Sequence, residues 1–172
     1  MMVRAEADSS LPWAEVKSFF DSEKSEDLDR RDIFIADCSK ETWNEILEWL
    51  NQCPYQVQFV CDGKPCAFDS VTEIFQAKES STVILYLDLG QFSVRTLFFY
   101  EDQVEFDFSA SDIQGQVSLD KLLSFVGELS KLIGKEVIVS YSSEPEGTDW
   151  IFKVDAFQKV LVRDEDRVSK SS

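Results

Sequence analysis

The chain has no histidine among its 172 residues. That removes Ser–His and Cys–His nucleophile pairs, His-ligated catalytic zinc and any imidazole general base. Glycine is scarce, with 6 residues, and neither G-x-x-x-x-G-K-[ST] nor G-x-G-x-x-G occurs, so the usual phosphate-cradling loops are missing. No D-x-[DN]-x-[DN]-G calcium loop is present. No apolar run approaches the ~18 residues of a membrane-spanning helix. The opening MMVRAEADSS lacks the apolar stretch of a secretory signal, so the expected compartment is the cytoplasm. Basic residues are few as well: 17 Lys and Arg face 33 Asp and Glu, for a net charge of −16. Such a chain repels nucleic acid and anionic membranes, and attracts basic partners over a distance.

The 4 cysteines, Cys38, Cys53, Cys61 and Cys66, form no C-x-x-C pair. Their spacing does not fit a zinc knuckle, and reduced, mostly buried thiols are expected. No metal, cofactor or catalytic residue is expected.

Apolar residues make up 44% and aromatics 13%, including 14 Phe, enough for a core without staples. The length suits one domain. The expected organisation is a flexible leader over 1–10, a single domain over 11–162 and a disordered tail over 163–172.

Leu11 to Phe20 reads as a short helix capped by Ser10, and Asp21 to Arg31 as a charged, mobile linker. Asp32 to Asp37 is a short strand. Ser39 caps a helix over Lys40 to Gln52, with Trp43, Ile46, Leu47 and Leu50 as its apolar stripe and Trp49 on the flank. Tyr55 to Cys61 is a strand that turns at Asp62-Gly63 into a short return strand around Cys66 to Phe68. Ser70 and Glu73 form a capping box for a helix to about Lys78. Ser118 is placed to cap a long helix over Leu119 to Ile133, closed by Gly134. Lys135 to Tyr141 and Trp150 to Asp155 form a hairpin, and Phe157, Val160 and Val162 extend its last strand or pack as a flap.

The longest strand-like block is Thr82 to Ser109. It reads as a meander of Val83 to Leu89, Phe92 to Tyr100 and Val104 to Phe108. The first strand is apolar on both faces and is expected to be covered on both sides. In the third, Val104, Phe106 and Phe108 face a core while Glu105 and Asp107 face away. The element order lacks regular βα alternation, which predicts an α+β fold with a mostly antiparallel sheet and helices packed on it.

Between Arg95 and Lys121 there is no basic residue, while Glu101, Asp102, Glu105, Asp107, Asp112 and Asp120 fall there. A one-sign block of this kind is either a solvated edge protected against aggregation or a docking surface for a basic protein. Glu105 and Asp107 would lie about 7 Å apart, a spacing also used by paired catalytic carboxylates, but nothing in the sequence supplies a cleft or a burial that would separate their pKa values.

The segment VEFDFSASD with the helix and hairpin after it resembles the C-terminal half of small bacterial immunity proteins from polymorphic-toxin and contact-dependent inhibition systems. The shared features are an acidic strand (Val104 to Phe108), a helix ending in L-x-G-K (Leu132 to Lys135) and a strand leading to an acidic loop (Val137 to Glu146). The resemblance implies a non-enzymatic cytoplasmic protein that binds and neutralises a cognate toxin domain, expected to be basic, with a nuclease as one possibility. The residues expected to carry binding are Glu101, Asp102, Glu105, Asp107 and Asp112, then the hairpin acids Glu144, Glu146 and Asp149. Alternative readings are a DNA-mimic inhibitor, an enzyme working through carboxylates, and a generic cytosolic adaptor.

Overall fold

Ser39 and Ser70 start two helices, and both do so through their hydroxyls. Ser39 Oγ accepts from the Thr42 amide at 3.4 Å, and the Thr42 hydroxyl accepts from the Ser39 amide at 3.1 Å. Ser70 Oγ accepts from the Glu73 amide at 3.3 Å, while the Glu73 carboxylate reaches past Ser70 to the Asp69 amide at 2.9 Å. Each such cap contributes about 1 kcal/mol. Ser118 behaves differently from expectation. The long helix begins at Gln116, and Ser118, already inside it, accepts from the amides of Gln114 and Gly115. Gly134 ends that helix at φ 70°, the left-handed conformation that glycine adopts without strain.

The computed structural model describes residues 2–4, 10–21, 29–141 and 150–163. In chain order the elements are β1 (Met2–Arg4), α1 (Trp13–Val16) with a 3₁₀ turn (Lys17–Phe20), β2 (Arg30–Ile35), α2 (Lys40–Gln52), β3 (Gln56–Cys61), β4 (Lys64–Cys66) and α3 (Val71–Ala77). There follow β5 (Val83–Asp88), β6 (Ser93–Thr96), β7 (Val104–Ser109), a 3₁₀ turn (Ala110–Asp112), α4 (Gln116–Ile133), β8 (Val137–Ser140), β9 (Trp150–Val154) and β10 (Val160–Val162). All described strands join one sheet in the order β1-β10-β9-β8-β2-β7-β6-β5-β3-β4, with every neighbouring pair antiparallel. This is the α+β class. No described helix is long and apolar enough to cross a membrane.

The helices cover one face of the sheet. Ile33, Ile35, Leu85, Leu87, Val94, Val104, Phe106, Phe108, Val137 and Val139 are buried there against Trp43, Ile46, Ile74, Leu122, Phe125 and Val126. Trp49 packs on the flank, its ring 6.2 Å from both Tyr55 and Phe125. The opposite face of β5 is only half-covered at Ile84 and Tyr86, so the strand expected to be buried on both sides is buried on one.

Four further expectations are corrected. Strand β2 starts two residues early, so Arg30 and Arg31 belong to it and not to a linker; Arg31 is buried and donates from Nε to the Phe19 carbonyl at 3.0 Å. Met2–Arg4, within the expected leader, pairs with β10 at the sheet edge. Cys61 and Cys66 are joined by a disulfide, Cα–Cα 5.9 Å, because the Asp62-Gly63 turn (φ 49° and 81°) folds β4 back onto β3; Cys38 and Cys53 are free and half-buried. The strand expected over Phe92 to Tyr100 ends at Thr96.

Candidate functional site: an acidic tip and an acidic sheet face

The early end of β6 creates the first candidate. Up to Thr96 the strand alternates, with Val94 and Thr96 inward. Phe98 is also fully buried, but at φ 52°, a conformation that a bulky residue rarely adopts. Its ring lies 5.0 Å from Trp43 and 6.3 Å from Phe59 and Phe75. Strand alternation would send Tyr100 inward after Phe98. The left-handed residue breaks that alternation, and Phe99 and Tyr100 both emerge, 55% and 56% exposed.

Residues 97–103 thus form a tip between β6 and β7, held from beneath at several points. The Trp43 indole Nε1–H donates to the Tyr100 carbonyl at 3.1 Å. The Cys38 amide donates to the Asp102 carbonyl at 2.7 Å. The Lys78 ammonium donates to the Phe98 carbonyl and lies 5.7 Å from the Phe99 ring centre. Burial pulls the Lys78 pKa down. Glu101 and Asp102 follow the aromatic pair and are exposed; Glu101 lies 3.6 Å from Lys40.

The second candidate is the sheet face away from the helices. Asp32 and Asp107 are direct cross-strand partners, and Arg95 sits opposite Asp107 on its other side. Asp107 Oδ1 accepts from Arg95 Nε at 2.7 Å and is ion-paired with Arg30. Glu105 is in register with Phe34, which is buried although it lies on this face and outside the main core. Burial, then the charges of Glu105 and Asp107, raise Asp32 to about 7 against the pull of Arg30 and Arg31. Burial, then Asp107, also raise Glu105. Like carboxylates in register repel, so a proton held by one of them relieves the face.

The acidic block read from the sequence is therefore divided four ways, with Asp120 exposed on α4. Glu101 and Asp102 lie on the tip, and Glu105 and Asp107 on the sheet face. Asp112 is exposed in the 3₁₀ turn beyond the far end of β7, away from the tip. Glu144, Glu146 and Asp149 lie outside the described residues. The stretch carries no basic residue of its own, but Lys40, Arg30 and Arg95 reach its carboxylates from α2, β2 and β6. Sequence reasoning assigned Phe99 and Tyr100 to a scaffold strand. The signal was there in Leu97-Phe98-Phe99-Tyr100, a run of large apolar residues that cannot all sit on one face of a strand, followed at once by Glu-Asp. Asp32 had no such signal, because its carboxylate neighbours come from a distant strand.

Among the described residues no three His, Cys, Asp or Glu side chains come together as a metal-holding group. A groove of about 380 Å³ lies between α2 and β3, lined in part by Asn44, Leu47, Phe59 and Phe68, and does not include the carboxylates of either candidate. Compared with family models, with curated proteins and with solved structures, the chain matches none.

Proposed function

We propose that this protein is a non-enzymatic inhibitor that binds and neutralises a basic protein, a toxin domain in the reading that the C-terminal resemblance suggests. The observation that carries the reading is the tip, where exposed carboxylates adjoin exposed aromatics on a chain of net charge −16. Charge of one sign speeds the encounter, and a few desolvated aromatic anchors hold the complex. The test mixes the purified chain with a panel of purified basic toxin domains, nucleases among them. The expected result is a complex that weakens as salt rises and abolishes the bound toxin's activity; no complex at low salt overturns the reading.

A second reading is favoured by one observation. Asp32, raised to about 7 by burial and by the charges of Glu105 and Asp107, has the elevated pKa that a carboxyl general acid uses. Asp107, however, is engaged by Arg30 and Arg95, and neither the groove beside α2 nor that lined by Gln56, Gln58, Tyr86 and Asp88 contains these three carboxylates. Hydrolysis of a panel of chromogenic glycosides, lost in Asp32→Asn, would restore this reading over the first.

A further inference from the structure

We propose that residues 97–103 are the docking element itself, that the Tyr100 ring is its anchor, and that the partner presents an arginine-bearing apolar cleft. This rests on the reading of the chain as a binder of a basic protein and specifies which surface does the binding and what it recognises.

Among the described residues the large exposed hydrophobics are Phe99, Tyr100, Val117 and Phe157. Phe99 and Tyr100 adjoin each other, with ring centres 6.5 Å apart. Phe157 is 85% exposed, but the carboxylate nearest it in sequence, Asp155, already accepts from the amides of Phe157 and Lys159, each at 2.9 Å. At the tip Glu101 and Asp102 are exposed, and Glu101 is engaged only by a solvent-exposed pair with Lys40 at 3.6 Å.

The rings are not equivalent. Phe99 has Lys78 near its face at 5.7 Å, a cation supplied by the chain itself. Tyr100 has its carbonyl fixed by Trp43 while its ring projects into solvent. It offers an aromatic face and a hydroxyl, the combination enriched at interface hot spots. The adjacent carboxylates select the partner's chemistry. A guanidinium can stack on a ring and pair with a carboxylate in the same plane, whereas an ammonium is a strongly hydrated point charge. An arginine is therefore the better match to Tyr100 with Glu101 and Asp102, and an apolar rim matches Phe99.

The backbone of the tip is fixed before any partner arrives. Three hydrogen bonds, from Trp43, Cys38 and Lys78, hold the carbonyls of Tyr100, Asp102 and Phe98. The buried Phe98 ring locks the loop to the core. Little ordering entropy remains to be lost on binding. The left-handed Phe98 is the kind of backbone outlier that persists where the surrounding structure enforces it.

The test titrates the isotope-labelled full chain at low salt with a short peptide alternating Arg and Leu, an equally charged all-Lys peptide, and a Glu–Leu peptide, following backbone amide shifts. The Arg–Leu peptide is expected to shift residues 97–103 saturably, and the all-Lys peptide to bind more weakly and more diffusely. Tyr100→Ala is expected to weaken Arg–Leu binding about tenfold, more than Phe99→Ala does, with the rest of the spectrum unchanged. Saturable Arg–Leu binding that maps elsewhere, or is indifferent to Tyr100→Ala, overturns the tip and leaves the basic-partner reading standing. Failure of both basic peptides to bind, or equal binding of the Glu–Leu peptide, overturns both.

Discussion

The tip and the sheet face are both acidic, lie at successive stretches of one chain, and differ in what their charges are doing. On the face, Asp107 is shared by two arginines, and burial around Phe34 pushes Asp32 and Glu105 toward holding protons. Those carboxylates are occupied by the fold. At the tip, Glu101 and Asp102 are exposed beside two exposed rings, Glu101 meeting only the surface ammonium of Lys40, on a backbone tied down from the core side. The difference teaches that an acidic block is not a surface. Its members must be sorted by whether the fold has already supplied their partners.

The comparison breaks most visibly if the support beneath the tip is removed. Trp43 is fully buried, contacts Phe98 and Phe106, and donates to the Tyr100 carbonyl. Trp43→Ala is expected to cost about 4 kcal/mol in chemical denaturation. Trp43→Phe should cost far less, while increasing hydrogen exchange at the tip.

The next largest effect belongs to the face. The folded Asp32 carboxyl titrates at about 7, above the value of about 4 for an unfolded Asp. The folded chain therefore holds an extra proton between those values and loses stability as pH rises through them. Asp32→Asn removes that loss. Its stability relative to the parent should grow by about 3–4 kcal/mol from about pH 4 to about pH 8, read from denaturation midpoints. A difference that shrinks with rising pH would contradict the assignment.

These contrasts also mark what the sequence could and could not reveal. Helix α2 and strand β7 are legible because their signals are local: a capping serine followed by an apolar stripe at helical spacing, and an apolar residue at every second position. The place of β2 between β7 and β8 is not, since the pairing spans the length of the chain. With β2 came Arg30 and Asp32, and so the whole electrostatic character of the face. The tip was hidden for a different reason. Its geometry depends on one left-handed phenylalanine held by Trp43, Phe59 and Phe75, which come from three separate elements. The Cys61–Cys66 disulfide is not legible from cysteine spacing, because it depends on the Asp62-Gly63 turn folding β4 back onto β3.

Smaller effects sharpen the contrast. Asp107→Asn removes a like charge from Asp32 and leaves Arg30 and Arg95 without their carboxylate beside it. The Asp32 pKa should fall, measured by carboxyl-carbon NMR, with burial and the Glu105 charge keeping it above the ordinary range. The smallest effect is expected at the tip. Tyr100→Ala and the pair Glu101→Lys with Asp102→Lys should each change stability by less than about 0.5 kcal/mol, because these side chains are exposed and only the backbone is tied.

One measurement tests the central claim directly: the affinity of a single basic partner protein for two double variants, Glu101→Gln with Asp102→Asn at the tip and Glu105→Gln with Asp107→Asn on the face, compared at low and moderate salt. The account predicts that the tip variant loses about tenfold in affinity and much of the salt dependence, while the face variant binds nearly as the parent does. A face variant that loses more than the tip variant would contradict it.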